Sequence, residues 1–561
     1  MFLNKSRAFL HYFLLLIPVF TFAVYIYINA VNVPHSDDEG LLNSVNQAHD
    51  TTSGLFRILV GQHNDHRIVF SRFASIAIDY LSGSMNFRIM IIAGYLNLIL
   101  LGHAFFLVFR STDQKFIRFA PVAILLFSPI VYGTHLWSIT AFEQTLAIAF
   151  SLYALYFIQP AKKKYWYISI PFTIAATLSN LDGLSVVPLI LMWLIFQKRT
   201  RESLIFTVFS IFYLYFFFSN FHFSESTTTV HFPQIIPVIF KGFIAFCGSI
   251  VKIISDSYMF LFSMITGVVI LLAYGIFTVM KIGTRKSWGN VFFPMDFAEV
   301  SFLKLLACAM MIALGRAGDG AGSMFAARFQ IYSASILIVF YLFILVNLKN
   351  EKQKSLLFQF FLIGTLALST LSYVKYTPIV TLHTDALKVD SYNYPNHSLF
   401  MHQYADRPDP ELKVYDHYVF PDYFKKEAIV RWHEQAKAQK VSLETIFKSE
   451  ISMDNSQDIA VIYNFINLDI SNLPASIPQK NVYLALFKHD SNDKPFLIAV
   501  SPHYTSWFKK IRSTSLSNSF TAKLPCKIPA DLYDVSLCWY ENKIPKSMLV
   551  AKNHQISCGV R

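Results

Sequence analysis

Three adjacent carboxylates follow the first apolar run of this chain: Asp37, Asp38 and Glu39. A carboxylate near a membrane surface can act as a general base on an acceptor hydroxyl. It can also hold a divalent cation that neutralises a phosphate. Acids at the end of a helix often only solvate the chain, but three in a row favour a role in chemistry.

A second polar cluster follows in the same segment and contains His63, Asp65, His66 and Arg67, with Arg72 beyond it. If this stretch is helical, His63, His66 and Arg67 share one face. The planar guanidinium group of arginine can donate two parallel hydrogen bonds to phosphate oxygens, so Arg67 and Arg72 can clamp a phosphate. Alternatively, Arg67 binds lipid headgroups. A zinc site of both histidines and one acid is conceivable, but this spacing alone is a weak signal, and the identity of any divalent metal stays open.

A second arginine pair, Arg316 and Arg328, brackets a turn rich in Gly, Ala and Ser at 317–327. Arginine near the centre of a span costs about 2.5–3.5 kcal/mol on insertion scales, so it usually lies at an interface or lines a polar cavity. Glycines let a bulky ligand approach the backbone. The pair is therefore either a second half of a lipid-phosphate site or two arginines whose long stems reach the interface.

Three more polar residues fall on short turns between apolar runs: His135, Glu143 and Asp182. They either line the same cavity as the arginine pair or are solvated turn residues.

Composition assigns the chain to the membrane proteins. Of its 561 residues, 54% are hydrophobic and 15% are charged, 55 are Phe, and the mean hydropathy is +0.42. Long apolar runs recur through its first two thirds, which excludes an ordinary soluble globule. The net charge of +13 comes largely from basic residues in short loops between these runs. That is the positive-inside pattern of a membrane protein, so no nucleic-acid partner is expected.

The basic loops predict the topology, because the chain must cross the membrane an even number of times between two of them. The first apolar run is too long for a signal peptide and lacks a cleavage site, so we expect it to be a retained helix. About eleven spans result, with the N-terminus inside and the C-terminus outside. They lie near 9–30, 89–109, 119–136, 142–160, 166–180, 184–197, 203–219, 258–280, 301–315, 329–348 and 355–374.

The predicted membrane module covers 1–374, with outer loops at 31–88 and 220–257. Residues 235–255 are apolar enough to span, but counting them would break the alternation of basic loops. We expect them to form an amphipathic helix that lies in the interface within the second loop.

The tail, 375–561, has the size and the turn-rich pattern of a soluble α+β domain on the outer face. Helices are expected within 422–448, and strands at Asn481–Phe487 and Pro495–Val500. An outer compartment permits disulfides. Cys526 and Cys538 flank an apparent hairpin and could form one, which would leave an odd thiol.

Several segments resemble a known family. The run Gln62–Ile68 resembles the HNEHR signature of polytopic bacterial membrane proteins related to GT-C glycosyltransferases. Three further patches resemble that group in order along residues 30–350: Trp137 to Gln144, Leu178–Leu184 with Pro188, and Gly315–Gly318 followed by Ala327–Phe329. Asp65 stands where the group usually has Glu, and Phe329 where it has Tyr.

The resemblance implies a GT-C-like fold in the bacterial inner membrane, and transfer of a sugar from a polyprenyl-phosphate donor to an O-antigen unit, another surface glycan or a protein. Asp37 or Asp38 would be the base in a single displacement that inverts the anomeric centre. Phosphate is a good leaving group, so cations rather than a general acid would stabilise it, as Arg67, Arg316 and Arg328 could. No cofactor is certain, although a divalent metal would fit.

Two other classes compete with this hypothesis. A transporter or flippase would also be polytopic, but its ionisable residues should lie within spans at broken helices, whereas the suggestive charges here are predicted outside them. The other class is a non-catalytic envelope-assembly partner that binds through its outer domain.

Overall fold

The computed structural model describes residues 2–50, 54–112, 114–222, 232–283, 295–403, 412–415, 417–441, 445–454, 463–474, 476–478, 480–491, 493–502 and 519–557. The chain divides into two compact units. The first comprises Met1–Ala30, Ser44–Leu81 and Ile89–Thr377, and the second comprises Val31–Asn43, Ser82–Arg88 and Pro378–Arg561. Two parts of the predicted first outer loop therefore belong to the same unit as the tail. The basic residues Arg285 and Lys286 lie outside the described residues.

The first unit is helical, with short 3-10 segments between the helices. The α-helices up to the start of the tail are α1 Phe2–Asn29, α2 Glu39–His49, α3 Leu55–Val60, α4 Val69–Ser82, α5 Phe87–Arg110, α6 Ala120–Leu126, α7 Tyr132–His135, α8 Ser138–Ile158, α9 Ser169–Thr177, α10 Val186–Phe196, α11 Thr200–Phe218, α12 Phe232–Cys247, α13 Met259–Gly283, α14 Phe297–Arg316, α15 Gln330–Asn347 and α16 Glu351–His397.

The prediction of about eleven spans is wrong. Among the described residues, seven helices are long and apolar enough to cross a membrane, or eight if the segments Phe116–Leu126 and Pro129–His135, bent by 42°, form one span. The seven are in α5, α8, α11, α13, α14, α15 and α16.

The count falls because apolar character does not fix helix length. The predicted spans 166–180 and 184–197 correspond to α9 and α10, which have only 9 and 11 residues. A 3-10 segment, Leu181–Ser185, separates them. At Gly183, a Cβ atom would collide with the Ala176 carbonyl, so only glycine permits this close return of the chain.

The helices of the first unit expose apolar side chains as a membrane protein does. The side chains of α15 are almost all buried, whereas those of α11 and α13 are mostly not. Leu204, Phe212 and Tyr215 of α11 are among the large apolar side chains that are more than 60% exposed. Apolar surface of this extent is unfavourable in water and is normal against lipid. The chain is therefore a membrane-embedded protein.

The segment predicted to lie in the interface forms a helix, α12, followed by a 3-10 segment, Ser249–Ile253. Its N-terminal half exposes Ile236 and Phe240. Its last three residues, 245–247, are buried, and a Cβ atom at Gly267 of α13 would collide with the Ile244 carbonyl oxygen. Glycine thus allows α12 and α13 to pack backbone against backbone.

The second unit contains two four-stranded sheets, in agreement with the predicted α+β tail. Its described helices include the end of α16, from Pro378 to His397, and α17, Lys426–Ala438. The sheet orders are β3-β4-β8-β7 and β10-β9-β5-β6, with β1 and β2 forming a separate hairpin in the first unit. The strands are β3 Ile446–Asp454, β4 Tyr463–Ser471, β5 Val482–Lys488, β6 Phe496–Ala499, β7 Ser501–Pro502, β8 Phe520–Pro525, β9 Asp531–Glu541 and β10 Ile544–Ile556.

Strand β5 has apolar side chains on both faces because both faces are covered. Leu484 and Leu486 pack between the two sheets. Tyr483 and Ala485 point to the other face and pack with Trp432 of α17. Alternate side chains of a strand point to opposite faces, so a strand covered on both sides becomes a continuous apolar run. The strands expected at 481–487 and 495–500 are confirmed within one or two residues.

The bridge considered between Cys526 and Cys538 does not form. Cys526 is disulfide-bonded, but Cys538 is a free, buried thiol. The two cysteines do not flank a hairpin, because β8 and β9 belong to different sheets. Cys538 instead packs in the core between its sheet and α17.

His402 carries a hydrogen bond that requires an uncharged imidazole. Its Nε2 atom accepts the Ala499 N–H at 3.0 Å, while both oxygens of the buried Asp390 accept backbone N–H groups of 401–403. Burial, reinforced by the nearby His383, lowers the pKa of His402 to about 4. Protonation would break the bond to β6.

We expect acid to destabilise the second unit through His402. The unfolded chain binds this proton below about pH 6.5, the ordinary pKa of histidine, whereas the folded domain binds it only below about pH 4. The free energy of unfolding should therefore fall as the pH drops from about 6.5 to about 4. Thermal unfolding of the full chain in detergent should show a smaller acid-induced loss for His402→Gln than for the parent. The exposed His417 gives the control variant His417→Gln, and equal acid loss in all three proteins would contradict the assignment.

Candidate functional site

The polar cluster at 62–67 forms a tight β-hairpin, so the helical arrangement considered for it is wrong. Strands β1, Gln62–His63, and β2, His66–Arg67, pair with Gln62 opposite Arg67 and His63 opposite His66. Asn64 makes the turn with a φ of +46°, a conformation that asparagine tolerates. Because side chains alternate along a strand, the two histidines share one face and Gln62 and Arg67 share the other.

The Arg67 face of the hairpin holds the end of α11. The Arg67 guanidinium donates to the carbonyls of Phe217 at 2.9 and 3.0 Å, of Ser219 at 3.1 Å, and of Val60. It also lies 5.5 Å from the centre of the Phe217 ring. Backbone carbonyls thus occupy the donors that a phosphate would need. The phosphate role of Arg67 stays a prediction, and its contacts describe an anchor.

Arg72 is a second anchor for the same loop. Its side chain is buried within the bundle and donates to the carbonyls of Ile58 at 2.9 Å, of Gln62 at 3.0 Å, and of Gly61. Buried charge is tolerated only when it is hydrogen-bonded or paired. These carbonyls satisfy the two terminal nitrogens, whereas the buried Nε atom has no hydrogen-bond partner in the described part of the chain. Arg72 therefore fixes the chain before the hairpin.

His66 points from the other face of the hairpin toward the remaining candidates. Its Nδ1 atom accepts the Leu181 N–H at 3.4 Å. Burial lowers the pKa of His66; the carboxylates of Asp182 and Asp65 oppose the shift, and Arg316 and Arg328 add to it. His66 is thus neutral at pH 7. With Nδ1 as the acceptor, the ring proton is assigned to Nε2.

Arg316 and Arg328 converge on one aromatic ring. Their guanidinium carbons lie 5.9 and 5.0 Å from the centre of the Phe329 ring. Arg328 also lies 5.4 Å from the centre of the Trp137 ring. Aromatic faces attract cations, so these rings hold the guanidinium groups of Arg316 and Arg328 in place. The structure thereby brings three predicted residues, Asp182, Arg316 and Arg328, into electrostatic range of His66.

The turn between the two arginines is held to its surroundings. The Thr134 hydroxyl donates to the Arg328 carbonyl at 2.8 Å, and the Lys252 amine donates to the Phe325 carbonyl at 2.5 Å. A Cβ atom at Gly133 would collide with Ala327, so glycine is required there. These contacts hold the backbone of the turn that carries Arg328.

Asp182 has two partners that the sequence analysis missed, Lys304 and Cys308. The Asp182 Oδ2 atom lies 3.6 Å from Lys304 Nζ and 3.0 Å from Cys308 Sγ. All three side chains are almost fully buried. The sequence does contain a signal for Lys304, which lies in the apolar run of α14. Ionisable residues inside membrane spans are rare and are usually functional.

The turn candidates His135, Glu143 and Asp182 are all buried, so the alternative of solvated turn residues is wrong. His135 Nε2 lies 3.4 Å from the Thr145 hydroxyl. Glu143 lies in electrostatic range of Arg72. Within the described residues, no group of three or more His, Cys, Asp or Glu side chains is placed to hold a metal ion. His63 and His66 are therefore not joined there by an acid in such a group.

The acidic segment belongs to the second unit. Residues 36–38 form a 3-10 turn, and Glu39 begins α2. Asp38 is 1% exposed and accepts the His35 N–H at 3.0 Å. Asp37 is only half-buried. Of the two, Asp37 is more open to a substrate, and Asp38 has a structural role.

Asn32 ties this acidic segment to the tail domain. Its N–H donates to the Tyr423 hydroxyl at 2.9 Å, and its carbonyl accepts from the Tyr418 hydroxyl at 2.7 Å. Its side chain accepts the Phe87 N–H at 2.8 Å. The tail domain therefore positions the acids that lie shortly after Asn32.

No protein-family model, no curated protein and no solved structure matches this chain.

Proposed function

We propose that this protein is a GT-C-type glycosyltransferase of the bacterial inner membrane. It transfers a sugar from a polyprenyl-phosphate donor to a surface-glycan or lipid-linked acceptor, with inversion. The observation that carries the proposal is the convergence of Arg316 and Arg328 with His66 and Asp182. Two rigidly held guanidinium groups beside a neutral histidine favour a phosphate-bearing lipid over a neutral ligand.

The arginine pair supports the departure of the lipid phosphate. Negative charge grows on the phosphate as the bond to the anomeric carbon breaks, and donors that are already in place stabilise it without reorganisation. Arg316 and Arg328 meet this requirement because the Phe329 ring and the contacts of their turn hold them. Neutral His66 adds one N–H donor from Nε2.

The acceptor hydroxyl needs a base, and Asp37 is the better candidate. A partly exposed carboxylate can take the proton of an incoming hydroxyl, whereas Asp38 is buried and caps its own turn. The base would therefore be carried by the unit that contains the tail domain. An outward-facing tail is supported by the disulfide of Cys526, since disulfides persist in oxidising compartments.

A transporter or flippase is the second candidate, and one observation favours it. Asp182 lies in the interruption between α9 and α10 and pairs with Lys304 inside α14. Ion pairs at broken helices within the membrane mark substrate or proton paths in transporters. Vesicles that contain the pure protein separate the two functions. Movement of a lipid-linked sugar across the bilayer without transfer to an acceptor would favour the transporter.

We expect Asp37→Asn to abolish transfer while the protein still folds. The amide keeps the size of the side chain but cannot act as a base, and a general base contributes about 10²–10⁴-fold in rate. Asp38→Asn should instead lower the melting temperature, since it weakens the cap at His35. The assay is transfer from a defined polyprenyl-phosphate sugar in detergent. Full transfer by a folded Asp37→Asn protein would remove this residue from catalysis.

Lysine substitutions distinguish a phosphate clamp from an anchor. At Arg328 and Arg316, lysine keeps the positive charge but lacks the two-pronged hydrogen-bonding geometry of the guanidinium group. Transfer should therefore fall about 10- to 100-fold, and the donor KM should rise. This is the effect expected for the loss of a charged hydrogen bond of about 1.5–3 kcal/mol. Arg67→Lys should lower stability and leave the donor KM unchanged, because the Arg67 guanidinium group binds backbone carbonyls. Arg110→Lys, at an exposed helix end, is the control. If Arg316→Lys and Arg328→Lys both match the parent, the phosphate site is wrong.

The position of the His66 proton is testable with two amides. The Nε2 amide of His66→Gln places a donor near the imidazole Nε2, whereas the Nδ2 amide of His66→Asn places its donor near Nδ1. If the Nε2 proton contacts the phosphate, the glutamine variant should keep more transfer activity than the asparagine variant, by about tenfold for one hydrogen bond. The reverse order of activities would assign the proton to Nδ1.

A further inference from the structure

Lys304 and Cys308 lie one turn apart on the same face of α14. The Lys304 Nζ atom is 2.6 Å from the Cys308 Sγ atom. Both side chains are inside the bundle, with 1% and 0% exposure. An ordinary N–H···O hydrogen bond spans about 2.7–3.2 Å, and sulfur is larger than oxygen. The amine and the thiol are therefore closer than two groups that share only a hydrogen bond.

The surroundings of this pair favour a reaction between the two groups. The nearest anionic oxygen, Asp182 Oδ2, is 3.6 Å from Nζ, and the Asp182 carbonyl oxygen is 3.3 Å away. The other carboxylate oxygen, Oδ1, is buried and has no hydrogen-bond partner in the described part of the chain. A buried ion pair with incomplete hydrogen bonding is costly, so loss of the lysine charge would remove part of this cost.

We propose that Lys304 and Cys308 form an oxidative cross-link in which one oxygen atom bridges nitrogen and sulfur. Asp182 first accepts the extra proton of the Lys304 ammonium, which leaves a neutral amine. The amine and the thiol then each lose one hydrogen to dioxygen. One oxygen atom enters the N–O–S bridge, and the other leaves with both hydrogens as water. Nitrogen and sulfur are oxidised, and dioxygen is reduced.

The environment gives the two reactants access to the oxidant. Dioxygen is apolar and enters the membrane interior, while bulkier polar reagents cannot reach these buried groups. Cys247 is also buried and free in the same unit, but its described hydrogen bonds include no lysine amine. The cross-link is therefore specific to Cys308.

Cross-linking changes the charge beside the candidate site. It removes the positive charge of Lys304, which otherwise pairs with Asp182, and Asp182 lies in electrostatic range of His66. The oxidised protein thus has one cation and one anion fewer next to the proposed anion site, because the lysine proton stays on Asp182. The link makes that site sensitive to oxidation, and its existence does not depend on the proposed function.

Peptide mass spectrometry of the purified full chain tests the cross-link. One half of the sample is kept in air and the other in a thiol reductant, and both are denatured, alkylated and digested with trypsin. We expect the aerobic sample to contain a peptide that is uncleaved after Lys304, is not alkylated at Cys308, and is heavier by one oxygen less two hydrogens. The reductant should restore cleavage and alkylation. Cys247 should be alkylated in both samples.

Three variants give matched controls. Lys304→Met and Cys308→Ser should each abolish the heavier peptide, and Cys247→Ser should keep it. The parent protein alone decides the matter if a variant does not fold. Complete cleavage after Lys304 and complete alkylation of Cys308 in the aerobic sample would overturn the proposal. Oxidation of Cys308 to a sulfinic acid with Lys304 still cleaved would also overturn it.

Discussion

The contact between Asp182 and Lys304 is the constraint on which the candidate site of the first unit depends. Asp182 lies in the break between α9 and α10, and Lys304 lies within α14. The pair therefore ties an interrupted segment to a continuous helix. The residue before Asp182 donates its N–H to His66, so the same break positions the imidazole. Removing one partner of a buried pair typically costs about 3–5 kcal/mol, because the other charge is left unpaired.

The charges around this break favour an anion. Arg316, Arg328 and Lys304 are cations, and Asp182 is the carboxylate that pairs with Lys304. His66 stays neutral because burial and both arginines lower its pKa. A partly buried cluster with surplus positive charge raises the local concentration of anionic ligands. The two arginines are also fixed by aromatic rings and a pinned turn, which reduces the ordering that binding would require.

The second unit gives the tail a role that its sequence does not suggest. Hydrogen bonds from Tyr418 and Tyr423 hold Asn32, so the acidic segment is structurally part of the tail domain. A domain that is far away in sequence thus determines where Asp37 lies. In the proposed reaction, the base belongs to this second unit.

The sequence alone determined the membrane class, because long apolar runs separated by basic loops are typical of polytopic membrane proteins and of few soluble ones. It also predicted the strands of the tail and the candidates His66, Asp182, Arg316 and Arg328, whose types are unusual near apolar runs. Lys304 could have been found by the same rule. The resemblance to GT-C enzymes adds the proposed reaction.

Tertiary structure decided what local pattern cannot. The number of spans fell because the chain folds back at Gly183, a close approach that depends on a neighbouring backbone. The 62–67 segment is a hairpin because Arg67 bonds the end of α11, which is far away in sequence. Cys538 stays free because β8 and β9 enter different sheets. In each case the outcome depends on contacts between distant residues, and residue type and spacing carry no information on those contacts.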